Sequence, residues 1–162
     1  MKHQLPAQIH SILFVCLGNI CRSPAGENVM RRLLQDAGLD GQVRCDSAGL
    51  LDYHSGEPPD ARMRAAGLRR GLPMSGAARQ VTRADLDVFD LVLAMDDSNY
   101  RGLIQLASEH NRHKILPFCS LCTRHADREV PDPYYGDAGG FDYVLDLMED
   151  GCRALLAQLT RR

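Results

Sequence analysis

No stretch of this chain approaches the ~20 consecutive apolar residues of a membrane-spanning helix, so no membrane partner is expected. An excess of charge is also missing. The formal net charge is -2, which gives no reason to invoke a nucleic acid or an acidic membrane. Met1-Lys2-His3-Gln4-Leu5-Pro6 lacks the apolar core of a signal peptide, and a cytoplasmic location is expected. After the first apolar run there is only Gly18, not the G-x-G-x-x-G of a dinucleotide site, and no Gly-Lys-Ser/Thr follows as in a Walker-type nucleotide site. Internal repeats and low-complexity tracts are absent. The chain reads as one domain over residues 1–162, with 1–10 a loosely held tail.

Cysteine is not scarce. Cys16, Cys21, Cys45, Cys119, Cys122 and Cys152 are present, but the chain is not a small secreted scaffold, so reduced thiols are expected.

What the sequence does contain is an alternation. Apolar runs at Ser11–Cys16, Val43–Ser47, Phe89–Met95 and Lys114–Phe118 read as strands. Helical spacing is read over Pro24–Ala37, Asp60–Arg70, Asp96–Glu109 and a last segment with Phe141, Val144, Leu145, Met148, Cys152, Leu155, Leu156 and Leu159 on one face. Residues 75–87 read as a polar connection with a short helix after Thr82, and Cys119–Tyr135 as a long loop. Strand and helix in turn argue for an α/β fold: a four-stranded parallel sheet with helices on both faces. Pro117 places the fourth strand at an edge or ends it there.

Ligands of such sheets bind at the carboxyl ends of the strands. Cys16 lies at one, and Leu17-Gly18-Asn19-Ile20-Cys21-Arg22-Ser23-Pro24 follows it. A strand, a tight loop and a helix start gather backbone N–H groups around one point, where the helix dipole favours an anion. The arginine suits two-pronged binding of a tetrahedral oxyanion, and the cysteine suits attack on it. A free thiol ionises near ~8.5; the dipole, the N–H donors and Arg22 are expected to lower that value. Ser23 can donate to the sulfur, and Asn19 tolerates a left-handed backbone. Cys-x5-Arg alone occurs by chance; the preceding strand and the following Ser-Pro make it specific. A leaving oxygen also needs a proton. Asp132, between Pro131 and Pro133 and followed by Tyr134 and Tyr135, is the candidate general acid.

These stretches, together with Asp46-Ser47-Ala48-Gly49, Ala78-Arg79-Gln80-Val81 and Met95-Asp96-Asp97-Ser98-Asn99, resemble the low-molecular-weight protein tyrosine phosphatases. The resemblance implies hydrolysis of phosphotyrosine in proteins and of aryl phosphates, with no metal or other cofactor. It implies Cys16 as nucleophile, forming a phosphocysteine. Arg22 would bind the phosphoryl oxygens, and Asp132 would serve as acid, then base. Leu17, Gly18, Asn19, Ile20, Cys21, Ser23, Tyr53, Tyr134 and Tyr135 would form the substrate site, with Asn19, Ser23 and Ser47 supporting the loop. Cys21 would trap oxidised Cys16 as a disulfide, and thioredoxin or another thiol would release it. A monomer is expected.

Two departures stand out. Where some family members carry a histidine in the bracing network, this chain has Gly76, so a shorter or water-filled network is expected. Cys119 and Cys122 are not a family feature; they read as solvent-exposed loop cysteines, and a single Cys-x2-Cys is a weak zinc signal. An alternative function on the same scaffold is arsenate reduction, which needs a relay of further cysteines. The segment 75–95 has none, leaving Cys119 and Cys122 as substitutes. A non-catalytic phosphotyrosine-binding module is a third reading, but it would have no use for the acid. Arg62, Arg64, Arg69 and Arg70 read as a solvated helix face, and most histidines as surface residues, with His54 close enough to Tyr53 to meet substrate.

Overall fold

The computed structural model describes residues 3–161. The elements run β1 (Ser11–Cys16), α1 (Arg22–Asp36), β2 (Arg44–Gly49), α2 (Ala61–Arg69), α3 (Arg83–Val88), β3 (Leu91–Ala94), α4 (Asp97–Leu106), β4 (Ile115–Pro117) and α5 (Ala138–Thr160). The four strands form one parallel sheet in the order β2-β1-β3-β4, and Pro117 does lie on an edge strand.

β1 is buried throughout because it is central and covered on both faces. Ile12 and Phe14 point to one core, shared with α1 and α5. Leu13 and Val15 point to the other, with Leu86 of α3 and Leu103 of α4. Gly26 lets α1 approach the sheet: a Cβ there would stand 2.5 Å from the Phe14 ring.

Several boundaries move for physical reasons. α1 begins at Arg22, not Pro24; proline is harmless in a first turn, whose N–H groups have no helical partner. β2 continues through Ala48 and Gly49, which pair with Val15 and Cys16. α4 ends at Leu106, and a separate 3₁₀ turn follows over Glu109–Lys114. That turn is drawn onto the end of α3, where Lys114 Nζ donates to the Leu86 and Asp87 carbonyls at 2.9 and 3.0 Å.

The expected loose tail is anchored from Leu5 onward. Ile9 is buried, Leu5 packs against the same core, and the His10 carbonyl accepts from Arg44 N–H. Met1 and Lys2 lie outside the described residues.

Cys119 and Cys122 are not solvent-exposed. A 3₁₀ turn over Phe118–Leu121 buries Cys119 and leaves Cys122 half-buried, with its thiol facing the Leu147 carbonyl of α5. The chain after them is pinned by Asp150, which accepts from the N–H groups of Thr123, Arg124 and His125 and pairs with the His125 ring at 2.7 Å. Burial pushes the Asp150 carboxyl up, but these partners prevail and hold it at about 2. His125 is therefore committed, and among the described residues no group of three or more His, Cys, Asp or Glu could hold a metal ion.

Arg62, Arg64, Arg69 and Arg70, on and just after α2, are exposed as expected, and two of them are also paired with α5. Arg70 pairs with Asp146 at 2.8 Å and Arg69 with Asp142 at 3.5 Å, both on α5.

Candidate active site

The loop between β1 and α1 closes around the Cys16 sulfur. Asn19 adopts φ 59, the left-handed region, and is the only non-glycine residue among those described to do so. That turn brings its N–H to the sulfur at 3.3 Å. Ser23 Oγ lies 3.1 Å from the same atom. Gly49, opposite Cys16 in the sheet, must be glycine: a Cβ would stand 2.8 Å from the Leu17 carbonyl oxygen. The α1 N-cap is Cys21, with no side-chain cap and no acidic residue in the first turn. The helix therefore presents uncapped N–H groups where an anion is expected.

Beneath the loop runs a chain of hydrogen bonds. Asn19 Nδ2 donates to Ser23 Oγ at 2.7 Å and to Ser47 Oγ at 3.0 Å, while its Oδ1 accepts from Arg79 N–H at 3.0 Å. Ser47 Oγ donates to Glu27 Oε1 at 2.5 Å. Glu27 is buried and paired with Arg31, which also donates to the Cys45 carbonyl. With glycine at position 76 the network is not cut short: it runs on through Glu27 to Arg31, which folds back from its solvent-facing position on α1, and a small void lined by Asn19, Glu27, Ser47 and Gly76 lies beside it. Ser47→Ala should lower the unfolding free energy by about 1–3 kcal/mol, because Asn19 and Glu27 each lose a buried partner. Denaturant titration measures this, and an unchanged midpoint would remove Ser47 from the brace.

Arg22, 2 % exposed, is fixed from the far side. Its Nη1 donates to Asp96 at 2.7 Å and to the Val130 carbonyl at 3.1 Å, and its Nη2 reaches Asp132 at 3.5 Å. Burial works against the guanidinium's charge, but Cys16, Asp96 and Asp132 outweigh it and raise its proton affinity. Asp132 is half-exposed and faces the loop; its Oδ1 accepts from Tyr134 N–H at 3.1 Å. Val130 N–H donates to the Met95 carbonyl, tying this segment to the end of β3.

Together these groups border a cleft of about 350 Å³ lined by Cys16, Leu17, Gly18, Ile20, Cys21, Arg22, Asp132 and an aromatic rim of Tyr53, His54, Tyr134 and Tyr135. The Tyr134 and Tyr135 rings meet edge to face at 4.8 Å, as do Tyr53 and His54. Asn19 and Ser23, expected among the substrate contacts, do not line this cleft. Their side chains point into the brace beneath the loop.

Sequence reasoning missed four contributors. Asp96 was legible only as the α4 cap, which it is, with Oδ1 accepting from Asn99 N–H; its other oxygen holds Arg22. Leu51 lines the cleft without any signal in its surroundings. Glu27 and Arg31 carried a faint one, as a carboxylate and an arginine four residues apart on one helix. Neither Cys119 nor Cys122 lines the cleft, so the relay that arsenate reduction needs has no cysteine there beyond Cys21.

A four-stranded parallel sheet with a Cys-x5-Arg loop at the end of its first strand, and a carboxylate facing that loop, defines the class of cysteine-loop phosphatases. The low molecular weight phosphotyrosine protein phosphatase family model matches residues 11–162. The chain belongs to that family. It is 41% identical over 152 residues to the low molecular weight protein-tyrosine-phosphatase YfkJ of Bacillus subtilis, covering 93% of this chain and 96% of the relative. With the human low molecular weight phosphotyrosine protein phosphatase it shares 40% over 147 residues, or 90% of this chain and 93% of that one. A crystal structure of a protein tyrosine phosphatase from Entamoeba histolytica, with Hepes in the active site, superposes with a TM-score of 0.91 at 44% identity, covering 93% of this chain and 97% of that one.

Proposed function

We propose that this single-domain chain hydrolyses phosphotyrosine in proteins through a phosphocysteine on Cys16. The observation that carries the reading is the convergence on one cleft of the Cys16 sulfur, the Arg22 guanidinium and the Asp132 carboxyl. The substrate ring lies between Tyr53 and the Tyr134–Tyr135 pair. The phosphoryl group sits among the loop N–H groups and Arg22, leaving its phosphorus above the sulfur.

The Cys16 thiolate forms the S–P bond as the P–O bond to tyrosine breaks, and Asp132 protonates the departing phenolic oxygen. Asp132, now a carboxylate, takes a proton from water as that water attacks phosphorus. Phosphate leaves, and the sulfur carries the electron pair away as a thiolate. Ser23 and Asn19 N–H, at 3.1 and 3.3 Å, stabilise the sulfur anion at both ends of the cycle. The deep cleft favours an aryl phosphate over a short phosphoserine. None of these steps calls on a metal. The test is hydrolysis of phenyl phosphate with a chelator present: wild type should turn over unchanged and Cys16→Ser not at all. Loss of wild-type turnover to the chelator would contradict the reading.

Redox protection belongs to the same proposal. Burial, with the nearby Asp60 carboxylate and the Cys16 sulfur adding to it, raises the Cys21 thiol's proton affinity, so it rests as S–H beside the nucleophile. When peroxide converts Cys16 to a sulfenic acid, Cys21 displaces water to form a disulfide. Thioredoxin or another dithiol reopens it. Peroxide-treated wild type should regain activity with thiol, and Cys21→Ser should regain much less; equal recovery would contradict the role. No helix among the described residues is long and apolar enough to cross a membrane. We place the enzyme in the cytoplasm as a monomer, with no nucleic-acid or membrane partner.

A further inference from the structure

The Asp132 segment carries half of the proposed chemistry, yet Asp132 itself is half-exposed and joined to the phosphate loop only by the long 3.5 Å contact with Arg22. Besides the Val130 contacts, the segment is held from the start of α2 and its N-cap, Asp60. Asp60 donates its N–H to the Ile20 carbonyl of the phosphate loop at 2.8 Å. The Asp60 carboxylate grips Arg62 with both oxygens, at 3.1 Å to Nε and 3.0 Å to Nη2. The remaining arm of Arg62, Nη1, donates to the Tyr134 carbonyl at 3.0 Å. Its guanidinium plane also covers the Tyr134 ring at 5.3 Å and the Phe141 ring at 4.7 Å. Tyr134 N–H in turn holds Asp132 Oδ1.

These contacts form one path: Ile20, Asp60, Arg62, Tyr134, Asp132. We infer that Arg62 is a positioning residue for the general acid, tying the Asp132 segment to the phosphate loop through Asp60. The inference rests on the reading of Asp132 as acid. A planar five-donor guanidinium suits the task, since one side chain takes a bidentate carboxylate, a carbonyl and two ring faces at once. Lysine can supply only one of these contacts at a time. Arg62 touches neither the phosphoryl group nor the sulfur, so its effect should follow the acid's work and not phosphate binding.

That work can be read by the leaving group. Phenyl phosphate expels a phenol with a pKa near ~10 and needs the proton, as tyrosine does; nitrophenyl phosphate expels a far weaker base and needs it less. Arg62→Met should lower kcat/KM, which reports the steps through cleavage of the phenolic P–O bond, about tenfold on phenyl phosphate, the scale of a misplaced catalytic group, and less than about twofold on nitrophenyl phosphate. Inhibition by inorganic phosphate should be unchanged. In an Asp132→Ala background, Arg62→Met should cost nothing further on either substrate, the signature of two residues in one pathway. Asp60→Asn keeps the helix cap but gives up the charge pair, so it should reproduce the same substrate selectivity and carries the test should Arg62→Met fail to fold. Equal losses on the two substrates, or losses that multiply with Asp132→Ala, would overturn the inference. If Asp132→Ala itself failed to distinguish the substrates, the acid assignment would fall, and this inference with it. If Asp132→Ala distinguished them and Arg62→Met did not, this inference alone would fall.

Discussion

Cys16→Ser is expected to lose all measurable turnover on phenyl phosphate, while the protein still folds and still binds inorganic phosphate. The change replaces one atom in a buried site, so packing is nearly conserved. What changes is the nucleophile. A thiol ionises near ~8.5 in its free state and sulfur is intrinsically nucleophilic. A serine hydroxyl has no base beside it here. Its nearest partners are donors, namely Asn19 N–H and Ser23, with Arg22 beside them; the His54 imidazole lines the rim of the cleft and is paired with Glu57 at 2.6 Å. Such donors can stabilise a sulfur anion; they cannot remove a hydroxyl proton. Phosphate binding survives because the loop N–H groups and Arg22 are untouched. Residual turnover of Cys16→Ser above a percent or so would mean that attack comes from elsewhere.

Asp132→Ala should lower kcat on phenyl phosphate by roughly 10²–10⁴-fold, the usual contribution of a positioned general acid. The loss in kcat/KM, which reports the steps through phosphocysteine formation, should shrink on nitrophenyl phosphate, whose leaving oxygen departs without help; kcat there should still fall, because the missing base slows hydrolysis of the intermediate. Binding should weaken little, because Asp132 is half-exposed at the rim and not part of the anion cradle. It should improve slightly if anything, since a carboxylate near the incoming phosphate is removed. A kcat unchanged on both substrates would move the proton donor to another group.

The parts of this molecule that were legible in its sequence are those whose signal is local. β1 was read with its observed limits, because a strand buried on both faces is a continuous apolar run. Cys16 and Arg22 were legible because seven residues of one tight loop carry both. Asp132 was legible from two prolines and two tyrosines around it, and only jointly with the cysteine loop. Contacts between distant segments left little trace. Arg22 meets Asp96 across 74 residues, and Arg62 meets Tyr134 across 72. Each of these partners has a sufficient local explanation, as a cap or as a helix-face arginine, which hid its second role. Glu27 shows the same concealment. On a helical wheel it is an ordinary charge beside Arg31, and only the fold brings Ser47 over it and buries it. The tail misled for the opposite reason: its short sequence gave no sign that Ile9 is buried in the core shared with α1 and α5.

The most direct measurement is rapid acid quenching of a single turnover, with the quenched protein digested and mapped by mass spectrometry. Asp132→Ala is the protein to use, with nitrophenyl phosphate: the acid is then scarcely needed to form the intermediate, but the missing base slows its hydrolysis. One phosphoryl group should appear on Cys16 within the first turnover and decay as phosphate is released. Release of the phenol with no phosphorus on Cys16 at any time, or with phosphorus on another residue, would contradict the account.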